Sequence, residues 1–185
     1  WRVVGKISGL VREVQEEARG RKSPEDMVVT LRPEGDVRGR VLFSYIIDAF
    51  LLSPDTSIPK SHTNFWQSWQ MAQTFVQLGY EVDVIHWTNH NFIPKGTYSI
   101  IVDVRRNLER LAPLMNQDCV KILHIDTAHI LFHNAAEANR LLALQQRRGV
   151  TLNPRRFEMP NQGIEHADYG TATGNDFVVG TFAYA

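Results

Sequence analysis

Cys119–Gly149, CVKILHIDTAHILFHNAAEANRLLALQQRRG, holds the transition on which the fold turns. Val120-Lys121-Ile122-Leu123 has the length and composition of a buried strand. Leu131, Ala135, Ala138, Leu141 and Leu142 then recur at helical spacing and are expected to form one inward face. Arg147 and Arg148 suit the last turn, where cations complement the helix dipole, and Gly149 suits a left-handed cap. Between strand and helix lie His124, Asp126, Thr127, His129 and His133. In open α/β sheets ligands bind just beyond the carboxyl ends of the strands, so these residues stand where a site is expected.

Two kinds of chemistry fit them. His124, Asp126, His129 and His133 are metal-ligating residue types, with His129 and His133 one helical turn apart. The glutamate of a zinc-protease helix is missing, and nothing local aims His133 at the point that His124 and Asp126 would share. A non-metal ligand site built on the same strand end is the competing reading, and histidines that merely bond their own loop are the plainest one.

Working outward, the chain begins differently from how it continues. Val4, Ile7, Leu10, Val11 and Val14 recur at helical spacing with charged residues opposite, and Gly20 would close such a helix. Residues 1–38 therefore read as an amphipathic docking helix and a linker rich in turn formers. From Gly39 the pattern alternates. Val41–Ile47 reads as a buried strand ending at Asp48, and a Pro-punctuated loop, Leu52–Thr63, leads to a helix starting at Asn64 and closed by Gly79. Glu81–Ile85 completes a βαβ unit ending at His86-Trp87, which should be right-handed. Thr97–Val102 is the next strand, ending in Asp103-Val104-Arg105, followed by a short helix cut by Pro113. Residues 150–163 read as an irregular excursion, Tyr169–Thr173 as a fifth strand, Gly174-Asn175 as a turn, and Asp176 onward as a helix. The alternation predicts an α/β fold with a doubly wound, mostly parallel, Rossmann-like sheet over 39–185.

Composition narrows the function classes. The 185 residues carry 20 basic and 20 acidic side chains, which removes the electrostatic argument for nucleic acid or an anionic membrane. A single cysteine, Cys119, rules out an internal disulfide and fits a reducing, cytoplasmic compartment, with peripheral attachment to a membrane left open. No run approaches the about 20 apolar residues of a membrane span. No G-x-G-x-x-G follows the first strand, and neither a Walker lysine motif nor a serine-nucleophile elbow is present. The strand ends instead bring Asp48, His86, Trp87, Asp103, Arg105, Asp126, His129 and Asn175 toward one sheet edge, a pattern that favours a ligand-binding rim.

The order of several short motifs resembles the N-terminal half of a bacterial GT-B glycosyltransferase of family 4. Carrying the resemblance are Ser61-His62-Thr63-Asn64-Phe65-Trp66-Gln67-Ser68-Trp69-Gln70-Met71-Ala72 and Leu78-Gly79-Tyr80-Glu81-Val82-Asp83-Val84-Ile85. Thr127-Ala128-His129 is similar to the family's T-x-H, and His166-Ala167-Asp168-Tyr169 with Gly174-Asn175-Asp176 to its x-A-D strand and turn. The resemblance covers roughly 39–185 and rests on order and spacing, no single motif being specific.

The resemblance implies a two-domain enzyme whose N-terminal domain holds a sugar or lipid-linked acceptor. A C-terminal domain, absent here, would grip the nucleotide-sugar, a co-substrate that needs no metal or other cofactor. On this reading the chain is a piece of a longer protein, inactive by itself, and transfer retains configuration. His129 would be the histidine facing the donor sugar; on chemical grounds Asp126 or Asp103 would act on the acceptor proton. Ser61, His62, Thr63, Asn64, Asp103, Arg105 and Asn175 would contact substrate. Ser61-His62-Thr63 stand where the family commonly has glycines, so side-chain contacts from His62 and Thr63 replace close backbone approach to phosphate. A metal-dependent hydrolase on the histidine cluster and a non-catalytic Rossmann-like binding module are the alternatives.

Overall fold

A computed structural model describes residues 2–7, 10–15, 23–53 and 56–183. Its strands are β1 (Arg2–Ile7), β2 (Leu10–Gln15), β3 (Val28–Arg32), β4 (Gly39–Tyr45), β5 (Tyr80–His86), β6 (Ile100–Asp103), β7 (Val120–Ile125) and β8 (Tyr169–Ala172). They form one sheet in the order β1-β2-β3-β5-β4-β6-β7-β8. The five strands from β4 onward are mutually parallel, and β1, β2 and β3 extend the β5 side antiparallel. The helices are α1 (Asp48–Leu51), α2 (Thr63–Gln77), α3 (Asn107–Leu111), α4 (Ile130–Arg148) and α5 (Asp176–Gly180). The expected Rossmann-like α/β architecture is the one observed.

Alternation along the strands makes two apolar layers. Val41, Phe43 and Tyr45 of β4, with Val82 and Val84 of β5, face α1 and α2, where Phe50, Ala72 and Val76 meet them. Leu42, Ile85, Ile101 and Leu123 face the other way, against Leu108 and Leu111 of α3. A sheet covered on both sides needs strands apolar at nearly every position, which is why VLFSYII read as a buried strand. Gly79 (φ 89°) and Gly149 (φ 63°) adopt positive φ and close α2 and α4, as expected of glycine at a helix end. Among the described residues no helix is long and apolar enough to cross a membrane.

Two expectations fail, the first across residues 1–38, where the expected linker contains β3 and the sheet runs on through β1 and β2. The N-terminal apolar stripe is not helical: β1 and β2 pair antiparallel, with Val3 opposite Val14 and Ile7 opposite Leu10. Five apolar residues over eleven positions fit either period, and a valine-rich composition favours the pleated strand. Gly20, expected to end a helix, lies outside the described residues, as do Pro54 of the first loop and Ala185. The second failure concerns α4, whose supposed inward residues are largely exposed, Leu131 at 74% and Leu142 at 51%. Instead of covering the sheet, α4 binds the excursion and α5: Asn134 bonds the backbone of Glu158 and Phe132 packs edge-on to Phe177, 5.1 Å between centroids.

Candidate functional site

The chain leaves β4 toward β5 on one side and reaches β6 on the other, so the carboxyl ends of β4 and β6 flank the topological switch point. Tyr45, Asp103, Val104 and Arg105 reach this point, joined by Trp87 after β5 and Asp126 after β7. Arg105 is the centre of the cluster. Its Nη2 donates to Asp126 Oδ2 and its Nη1 to Glu158 Oε1, both at 2.9 Å. Burial would lower the Arg105 pKa, but the charges of Asp126 and Glu158 outweigh it and the guanidinium is held above its ordinary value. The Arg105 and Arg106 guanidiniums lie 5.9 and 5.2 Å from the Trp87 ring, within cation–π range.

Asp126 and His129 line one cavity of about 60 Å³ together with Arg105, His124, Thr127, Glu158 and Phe182. His129 is the N-cap of α4; its Nδ1 accepts from the Leu131 N–H at 3.3 Å. Its ring meets Phe182 edge-on at 5.2 Å, and its backbone N–H donates to Thr181 Oγ1 at 2.9 Å. The histidine is therefore fixed between the start of α4 and the end of α5.

Behind this cavity a hydrogen-bonded chain crosses four elements. Tyr45 OH donates to Gln67 Oε1 at 3.3 Å, Gln67 Nε2 meets His124 Nε2 at 3.0 Å, and His124 Nδ1 meets Thr171 Oγ1 at 2.9 Å. With the Gln67 amide as donor, His124 must be neutral and carry its proton on Nδ1, donating to Thr171. Burial lowers the His124 pKa, partly offset by Asp126, and raises the Tyr45 pKa to about 12. Both groups stay uncharged near neutrality.

A pH dependence follows. A histidine whose folded pKa is depressed supports the fold above its unfolded value of about 6.5 and ceases to do so as pH falls through that range. His86, lowered by burial against the raising charge of Asp48, acts in the same direction. Urea midpoints should hold between pH 8 and 7 and decline toward pH 5.5. His124→Gln should cost about 1–3 kcal/mol at pH 8, the range for unsatisfied buried partners, and flatten that decline. An undiminished decline in this variant would show that His124 does not titrate with unfolding.

The remaining site residues inferred from sequence do not converge on the cavity. Ser61, His62 and Thr63 lie exposed and Asn64 half-buried at the start of α2, where His62 Nδ1 accepts from the Asn64 N–H at 3.3 Å. Asn175 caps α5 in the same manner, accepting from the Val178 N–H. Asp103 is a correction: it is fully buried, and its Oδ2 caps α3 by accepting from the Leu108 N–H at 2.9 Å. Burial raises its pKa despite hydrogen bonds from Ser44 and nearby backbone, so it props the Arg105 loop rather than reaching a substrate. These strand-end residues are also helix-start residues, and capping takes the same polar types that make a site.

Three of the four candidate metal ligands line the same cavity, but each of the four is bonded to a different partner. His124 bonds Gln67 and Thr171, Asp126 pairs with Arg105, His129 caps α4, and His133 Nε2 lies 2.6 Å from the Arg156 carbonyl oxygen. Among the described residues no three His, Cys, Asp or Glu side chains are grouped to hold a metal ion. Sequence reasoning missed Glu158, Arg106, Tyr45 and Gln67. Glu158 stands in an irregular stretch without periodicity, and no local signal ties it to Arg105; Tyr45 and Gln67 read as strand core and helix start. No protein-family model matches this chain, and no curated protein or solved structure was found to be similar to it.

Proposed function

We propose that this chain is the acceptor-side, Rossmann-like half of a glycosyltransferase that moves a sugar from a nucleotide-sugar to an acceptor hydroxyl. The observation that supports it most is the placement of His129 and Asp126 on one cavity with Arg105, at the carboxyl edge of a doubly wound sheet. Glycosyl transfer builds positive charge on the sugar ring and negative charge on the leaving diphosphate. Fixed donors at a helix start, here His129 and the first turn of α4, suit the departing phosphates. Paired with Arg105, Asp126 takes a positioning role: it orients a guanidinium toward the cleft while His129 faces the sugar.

The nucleotide-sugar itself belongs to a second Rossmann-like domain, so the reaction requires both halves. Donor consumption is the test, measured over a panel of nucleotide-sugars for the two-domain protein and for this chain alone. Turnover by the former and none by the latter is expected. A two-domain protein that consumes no nucleotide-sugar, or a gene product without a second nucleotide-binding domain, would overturn the reading in favour of a binding module.

A further inference from the structure

One carboxylate from the excursion spans both arginines at the switch point. Glu158 Oε1 accepts from Arg105 Nη1 at 2.9 Å, while Oε2 lies 3.6 Å from Arg106 Nη2, an ion pair too long for a hydrogen bond. Arg106 Nε is buried and has no hydrogen-bond partner among the described residues. The two guanidiniums therefore offer more donors than the glutamate uses. An unmet buried donor is costly, and an anion with more oxygen atoms would relieve it.

We propose that Arg105 and Arg106, backed by Trp87, form a binding site for an oxyanion group of the substrate, and that Glu158 occupies it as a displaceable internal carboxylate. The two counter-ions of Arg105 differ in kind. Asp126 directly follows β7, a strand paired on both sides, and its side chain is only 9% exposed, so it is a permanent partner that holds the guanidinium from the sheet side. Glu158 comes from 150–162, a segment without helix or strand and exposed over most of its length.

That segment is held by polar ties to α4 rather than by apolar burial. Asn134 Nδ2 donates to the Glu158 carbonyl at 3.0 Å and Asn134 Oδ1 accepts from its N–H at 2.9 Å. His133 reaches the Arg156 carbonyl, and Glu137 accepts a long bond from the Arg155 N–H at 3.4 Å. Such contacts are cheap to exchange with water. Withdrawal of Glu158 would also enlarge the adjoining cavity, whose about 60 Å³ is far below the ~300–1,000 Å³ of ordinary ligand sites.

Paired guanidiniums suit phosphate and carboxylate alike, and forked, charge-assisted bonds to either are the strong ones. The inference rests on the glycosyltransferase reading only for the molecule that carries the anion, an acceptor or donor bearing a phosphate or carboxylate. Binding itself is independent of that reading.

Calorimetric titration of this chain with inorganic phosphate and, separately, acetate tests the site at low ionic strength. Glu158→Ala should bind one of the two at least ~10-fold more tightly than the unaltered chain, the value of one charge-assisted bond regained. Preference for phosphate or acetate then names the group. Adding Arg106→Met should abolish the gain. Should Glu158→Ala not fold, Asn134→Ala, which frees the segment and keeps the charge, takes its place with the same expected direction. No tightening, or tightening that survives Arg106→Met, overturns the proposal. Anion binding without sugar transfer in the two-domain protein would leave the site standing and remove the glycosyltransferase reading; transfer without anion tightening would do the reverse.

Discussion

On the proposed function, His129→Ala in a two-domain glycosyltransferase containing this chain should lower turnover by ~100-fold or more, the usual loss for one transition-state hydrogen-bond donor. Because His129 also caps α4, the substitution should in addition cost about 0.5–2 kcal/mol of stability. His129→Asn separates the two roles. Asparagine is among the best N-caps, so it should restore the melting temperature and leave turnover low. His133→Ala should affect turnover far less, since that ring is committed to the Arg156 carbonyl and Thr127. Donor consumption and melting curves on the three variants decide the matter. Turnover near that of the unaltered enzyme in His129→Asn would reduce His129 to a cap and remove it from the mechanism.

Asp83→Ala should destabilise the fold by about 1–3 kcal/mol or somewhat more, the cost of leaving the buried Thr30 and Tyr98 hydroxyls without their acceptor, whereas Arg40 is 36% exposed and keeps its ion pair to Glu81. Asp83 sits mid-strand in β5 at 1% exposure. It accepts from Thr30 Oγ1 at 2.7 Å and from Tyr98 OH at 2.6 Å, and pairs with Arg40 Nη2 at 2.8 Å. Arg40 in turn lies 5.2 Å from the Tyr98 ring centroid. Burial, followed by the charge and hydrogen bond of Asp83, pushes the Tyr98 hydroxyl well above its ordinary pKa, so it remains a donor at any working pH. A carboxylate is tolerated here because an irregular connection, not a helix, covers this part of the sheet. The space beside it, about 490 Å³, is lined by Thr30, Arg40, Asp83, Asn89, Lys95 and Tyr98 as well as apolar groups. Replacing Asp83 by leucine, Thr30 by valine and Tyr98 by phenylalanine should recover much of the loss, since both buried donors are then removed with their acceptor. Denaturant midpoints measure both; a cost below about 1 kcal/mol for Asp83→Ala would mean that water supplies what Asp83 supplied.

Much of the architecture was readable from residue order. The buried runs at 41–47 and 120–123, the closing glycines at 79 and 149 and the alternation between them led to the parallel sheet that is observed. Those signals act within a turn or two of chain, where apolar period and backbone preference express themselves without distant partners. The same locality explains the misread N-terminus. Valines and isoleucine at Val4, Ile7, Val11 and Val14 satisfy a helical period, and only the pairing of β1 with β2, and of β2 with β3 through Val11 opposite Arg32 and Val14 opposite Val29, makes them strands.

The site divides in the same way. Sequence alone placed His129, Asp126 and Arg105 at the carboxyl edge, because strand ends are local features. What each side chain does there was decided by partners far along the chain. Asp103 turned inward to cap α3, Glu158 reached Arg105 across 53 residues, and Gln67 met His124 across 57. Hydrogen bonds and ion pairs form by proximity and direction in space, and neither is encoded in the period of a strand or a helix. Residue order thus determined the scaffold and the edge on which polar groups gather, while the tertiary structure alone determined which of them are caps, which are counter-ions and which line the cavity.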